Sequence, residues 1–157
     1  MIGADDLAWL DALRRRYYPA ARNRLPAHLT LFHHLPPSLA GELRRRLADT
    51  VRGPAPRARV SGVMNLGQGT ALRIESPELE AIRADLVDSF FGLLVPQDQA
   101  RWTPHVTIEN KVAPEVARAT QKQLPPELIG RAVAIKGLAC WAYDMGAWAP
   151  ISRHMFK

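Results

Sequence analysis

The sequence predicts an α+β fold made by pseudo-twofold duplication, with two lobes of about 1–76 and 77–157 in one bilobal domain of 157 residues. Three observations predict it. Segments of helical and strand period run in the order helix, strand, helix, strand, strand, and the order then repeats. A single gap-free offset of 77 positions places Asp11 on Asp88, Pro19 on Pro96, Arg24 on Arg101, His28 on His105, Thr30 on Thr107 and Gly69 on Gly146. At 47% hydrophobic and 23% charged residues, the chain can bury a real interior and has no low-complexity tract. Two copies are too few for a solenoid, which leaves paired lobes.

Leu7, Leu10, Leu13 and Tyr17 recur at helical spacing and predict a helix over about 4–17, ended by Pro19. "AHLTLFH" (27–33) alternates and predicts a strand. Leu39, Leu43, Leu47 and Val51 mark a second helix, closed by "RGPAP". "RARVSGVMNL" and "TALRIES" read as a strand pair across "GQG". Ser76 and Pro77 are a cap and a first helical residue, and Leu79, Ile82, Leu86, Phe90 and Leu93 carry the helix that follows. "PHVTIEN" is a further strand, Pro114 opens a helix to about Leu124, and strands over about 131–143 and 147–156 meet near Met145-Gly146.

Twenty-one Lys and Arg against fifteen Asp and Glu give a formal charge of +6. Such a surface suits polyanions, RNA above all, although solubility alone explains it equally well. The arginine triplets at 14–16 and 44–46 fall on predicted helices and read as solvated faces. Cys140 is the only cysteine, lies in the apolar run "GLACWAY", and reads as a buried structural thiol. One cysteine makes no internal disulfide, which fits a reducing cytoplasm. "MIGADDLAWL" has no basic segment before an apolar one and is not expected to be a signal peptide. No run approaches the roughly 20 apolar residues of a membrane span, so no membrane partner is expected.

The two strands named above spell the same pattern, "HLTL" and "HVTI". Side chains alternate along a strand, so His28 and Thr30 share one face while Leu29 and Leu31 take the other. In the second copy His105, Thr107, Glu109 and Lys111 share a face, with Val106 and Ile108 in the core. A twofold axis would set the two imidazole–hydroxyl pairs face to face across a groove. In-line cleavage of a phosphodiester needs a base on the incoming oxygen and an acid on the leaving one, on opposite sides of phosphorus. Two histidines fill both roles near neutral pH, and hydroxyls can donate to the non-bridging oxygens. One such tetrapeptide means little; two among five histidines arise by chance in roughly one sequence in a few hundred. No cofactor is called for. A metal site is not expected, because "HExxH", "CxxC" and paired carboxylates near the histidines are all missing.

These residues resemble the paired histidine-x-threonine motifs of the two-histidine (2H) phosphoesterase superfamily, and within it the 2′-5′ RNA ligase and RNA 2′,3′-cyclic phosphodiesterase branch. The resemblance covers nearly the whole chain. It implies antiparallel sheets lining a central cleft, with helices packed outside. It implies metal-independent opening of a 2′,3′-cyclic phosphate, on RNA ends or small cyclic nucleotides, to a 2′-phosphate. In some members it also implies reversible joining of 2′-5′ RNA ends. His28 and His105 would be the acid–base pair and Thr30 and Thr107 the phosphate-oxygen donors, with His105 activating water and His28 protonating the departing 3′ oxygen. After the first motif this chain reads Phe32-His33-His34-Leu35, where relatives commonly have a basic residue and a Phe-Leu-Gly run.

Further substrate contacts are expected around that pair. Arg24 and Arg101, four residues before each histidine, either clamp phosphate or tie loops. Lys111 can reach a phosphate from the His105 face. Phe32 and Trp102 can stack a base, Trp141 and Trp148 read as core or hairpin packing, and Arg73 and Lys136 add positive potential. A monomer is expected. A non-catalytic RNA-binding module using the same cleft is the rival reading.

Overall fold

The computed structural model describes residues 1–157. Helix α1 (Ala4–Tyr17) has Asp5 and Asp6 in its first turn and Arg14, Arg15 and Arg16 in its last, the polarity that complements a helix dipole. Helix α2 (Ala40–Thr50) buries Leu43 and Leu47. Strands β1 (Arg59–Asn65) and β2 (Gly69–Glu75) form an antiparallel hairpin. Helix α3 (Pro77–Ser89) starts as expected, with Ser76 Oγ accepting from the Leu79 amide at 3.2 Å. A single turn, α4 (Pro96–Gln99), precedes strand β3 (His105–Asn110), and helix α5 (Pro114–Gln123) follows it. Strands β4 (Gly137–Asp144) and β5 (Ala147–Met155) close the chain. Their turn sets Met145 and Gly146 at φ 47° and 90°, the left-handed pair that a two-residue hairpin demands.

The sheets are antiparallel throughout: β1-β2-β3 in one and β4-β5 in the other. Helices cover one face of each. Leu10 of α1 joins Val60, Leu72, Ile74, Val106 and Ile108 in one apolar cluster. Leu43 and Leu47 of α2, Leu79 and Leu86 of α3 and Leu138 of β4 form the other. Neither cluster belongs to one half of the sequence, because β3 pairs with β2 and α2 packs with α3. The two halves of the sequence are thus interleaved in space, and each cluster draws residues from both 1–76 and 77–157.

Several sequence expectations are corrected. Residues 27–33 form no regular strand; Leu29 alone makes a β-bridge, to Val106. Side chains take the backbone groups that a ladder would use. Trp102 Nε1 donates to Thr30 O at 3.0 Å, Arg83 Nε donates to Leu31 O at 3.0 Å, and the amides of His33 and His34 donate to Asp98. The strand expected from about 131 begins at Gly137, preceded by isolated bridges at Ala132 and Ile135. Cys140 is half-buried against the second cluster, and burial raises its thiol pKa. Trp148 packs across its hairpin on Tyr143, ring centroids 4.9 Å apart, while Trp141 and Trp148 both remain exposed.

The turn glycine of the first hairpin is Gly67, at φ 79°. Gly69 lies in β2 against β3, where a Cβ would stand 2.3 Å from the Glu109 carbonyl oxygen. Gly69→Ala therefore forces the two strands apart. We expect a loss of about 2 kcal/mol in denaturant unfolding, and an unchanged midpoint would show that the strands yield freely there.

Candidate active site

The β3 register builds half of the site. His105 pairs with Arg73 and Thr107 with Ala71, and cross-strand partners share a face. That face is opposite Val106 and Ile108, both fully buried under α1. His105 and Thr107 therefore stand on the uncovered face of the sheet, with the exposed Arg73 beside the histidine.

The antiparallel bridge between Leu29 and Val106 brings in the other half. These two residues are equivalents under the 77-position offset. The register they set opposes His28 to Thr107 and Thr30 to His105, with all four on the side away from Leu29 and Val106. In that register each histidine stands opposite the threonine of the other motif.

Both rings are held in the same way. His28 Nδ1 lies 2.8 Å from Pro26 O, and His105 Nδ1 lies 2.8 Å from Thr103 O. A carbonyl only accepts, so Nδ1 carries the hydrogen in both and Nε2 is the free nitrogen. The His28 ring is open at the surface but flanked by protein on most sides. Its pKa is lowered, chiefly by loss of hydration, with Arg14 and His105 adding positive charge nearby and the bond to Pro26 opposing the shift.

A cavity of about 230 Å³ opens beside this pair, lined by Thr30, His105, Arg101, Trp102, His33 and Asp98 among others. The remaining expected residues divide. Arg101 lines the cavity, whereas Arg24 is exposed outside it. Trp102 lines it with its N–H spent on Thr30 O. The rings of Phe32 and Trp102 each lie against the Arg83 guanidinium, 5.1 and 5.3 Å from its carbon, so an internal cation covers one face of each. A register shift at Thr70/Ala71 breaks the alternation of β3. Glu109 consequently leaves the His105 face and is buried, accepting from Thr120 and Thr70 hydroxyls at 3.0 and 3.3 Å. Lys111 lies beyond the strand at φ 59°, exposed. No group of three His, Cys, Asp or Glu side chains is placed to hold a metal ion. No helix is long and apolar enough to cross a membrane.

Three residues escaped the sequence reading. Arg14, assigned to a solvated face, is 4% exposed. Its guanidinium donates to Thr107 O at 2.6 Å, Asn23 Oδ1 at 2.8 Å and Leu25 O at 3.0 Å, tying α1 to the backbone of one motif and the approach to the other. The signal was available: Arg14 lies four residues after Leu10, on the apolar stripe of α1. Arg83 carried the same signal, four residues after Leu79 on the buried stripe of α3, whereas Asp98, buried in the single turn of α4, left none.

The family model of the 2′-5′ RNA ligase superfamily matches residues 4–147. A search of curated protein sequences returns no significant match. Among solved structures, the crystal structure of TT0787 of Thermus thermophilus superposes with a TM-score of 0.69 at 19% identity, covering 98% of this chain and 93% of that one. The fold is thus that of the two-histidine phosphoesterases. With both histidine–threonine pairs inside a match that spans nearly the whole sequence, the chain belongs to the 2′-5′ RNA ligase superfamily.

Proposed function

We propose that the protein is a metal-independent phosphodiesterase that opens 2′,3′-cyclic phosphates to 2′-phosphates. The observation that carries this reading is the Leu29–Val106 bridge, whose antiparallel register supports two opposed imidazole–hydroxyl pairs. A phosphate held between the pairs has an imidazole on either side, the arrangement that in-line displacement needs. One Nε2 removes a proton from water as its oxygen attacks phosphorus. The P–O3′ bond breaks, and the other Nε2–H delivers its proton to the departing O3′. Thr30 and Thr107 donate to the non-bridging oxygens.

The lowered pKa of His28 favours it as the neutral partner, hence the base, with His105 as the acid. This is opposite to the polarity that the resemblance implies. The base must be neutral to act, so the rate rises with pH through the pKa of His28. The acid limb of the profile is expected below the ordinary imidazole value of about 6.5, and the two limbs belong to the coupled pair. An acid limb above that value would contradict the assignment of His28.

The same site admits a second nucleophile. A 5′-hydroxyl in place of water gives a 2′-5′ linkage by the same proton transfers, which is the ligase reading of the family. The decisive assay incubates purified protein, in EDTA, with an RNA fragment ending in a 2′,3′-cyclic phosphate, with and without a 5′-hydroxyl acceptor. A 2′-phosphate product is expected, and a longer product would mark ligation. Binding without turnover would leave only the RNA-binding module, and loss of activity in EDTA alone would refute a metal-free reaction.

A further inference from the structure

The cavity beside the paired histidines holds cations that the chemistry at phosphorus does not use. Asp98 is 1% exposed, and its carboxylate accepts from the His33 amide at 2.9 and 3.1 Å, the His34 amide at 2.9 Å and His33 Nδ1 at 3.0 Å. Burial alone would raise its pKa, but these donors outweigh burial and hold it below the ordinary carboxylate range. An ionised carboxylate only accepts, so His33 Nδ1 carries a hydrogen and Nε2 is its free nitrogen. The His33 side chain is 46% exposed and lines the cavity. Arg83, which also lines it, is already spent on Leu31 O and on Asp98 O at 2.6 Å. Arg101 is exposed and enters no ion pair.

The cavity lies to one side of the paired motifs. It takes in Thr30 and His105 but not His28 or Thr107. It therefore runs from Thr30 and His105, which face the reacting phosphate in the reading above, to His33 and Arg101. Its one carboxylate is saturated, and beyond Thr30 and His105 the groups left open are the His33 imidazole, the Arg101 guanidinium, the Gln97 amide and the Thr103 hydroxyl. When His33 is protonated, its ion pair with Asp98 leaves an Nε2–H donor aimed at an anion, and the guanidinium adds a second charged donor.

We propose that His33 and Arg101 form a second phosphate subsite, which takes the phosphate on the 5′ oxygen of the nucleoside whose cyclic phosphate is opened. The substrate class is then a phosphorylated chain end rather than a bare nucleoside 2′,3′-cyclic phosphate. This rests on the cyclic-phosphodiesterase reading above. Asp98 fixes the ring, and the subsite supplies specificity without touching the reacting atoms.

The test compares nucleoside 2′,3′-cyclic phosphates bearing a 5′-phosphate or a 5′-hydroxyl. Wild-type protein is expected to favour the 5′-phosphate by about tenfold in kcat/KM, the scale of one charged hydrogen bond. His33→Ala should bring the ratio to about one, with kcat/KM on the 5′-hydroxyl substrate within about twofold of wild type. His33→Asn, which keeps a donor towards Asp98, serves should the alanine variant fold poorly. A wild-type ratio near one, or equal losses on both substrates, would overturn the subsite. Calorimetric binding of adenosine 5′-monophosphate reads the same subsite without turnover: weaker binding by the variant supports it, and equal affinity overturns it. Wild-type protein that turns over neither substrate, yet loses this binding on substitution, overturns the phosphodiesterase reading and not the subsite.

Discussion

His28→Ala and His105→Ala are each expected to lower turnover of a 2′,3′-cyclic phosphate by about 10³-fold, the typical contribution of one positioned proton-transfer group. Folding should be nearly untouched. Each ring makes one hydrogen bond, to a carbonyl two residues before it, and sits at the cleft surface rather than in either apolar cluster. The double variant should be little worse than either single one, because the two act as a unit. The variants separate on an activated substrate. An aryl phosphodiester has a leaving group that needs no proton, so it should recover much of the activity of the variant lacking the acid. With His28 as base, recovery belongs to His105→Ala. Recovery in His28→Ala would reverse the polarity, and full activity of either variant on the cyclic phosphate would remove the paired-histidine mechanism.

Arg14→Ala is expected to cost about 3 kcal/mol in stability, read from the urea midpoint. The guanidinium satisfies two backbone carbonyls and the Asn23 side chain, and stacks 4.5 Å from the Tyr18 ring centroid. Truncation leaves those acceptors without a donor beneath α1. It also frees Thr107 O, inside the second motif, and Leu25 O, on the approach to the first, so activity should fall in the fraction that remains folded. Arg14→Lys should recover only part of the loss, since one ammonium cannot span three divergent acceptors. A surface arginine would show neither effect, and a midpoint unchanged by Arg14→Ala would return Arg14 to the solvated face.

Where the deciding physics is local, the sequence was legible. Helix α1 follows from apolar spacing, and α3 from Ser76 and Pro77, because caps and 3.6-residue periods act within one or two turns. Strands β1 and β2 follow from alternation and a glycine turn. Local reading failed where backbone partners lie far along the chain. Residues 27–33 have the alternation of a strand, yet Trp102, Arg83 and Asp98 occupy their backbone groups. Glu109 has the parity of the His105 face, but one register shift sends it to α5. Helical spacing could have found Arg14, had its charge not been taken as a sign of solvent.

The sequence by itself determined the motif: two histidine–threonine pairs, 77 positions apart, each spaced to set both side chains on one face. That much depends only on spacing, since residues two apart on an extended segment point the same way. The tertiary structure decided how the pairs meet. Pairing Leu29 with Val106 opposes His28 to Thr107 and Thr30 to His105, and places His33, Asp98 and Arg101 beside them. No residue spacing encodes those contacts, because they depend on which distant backbone groups and buried charges satisfy one another once the two halves interleave.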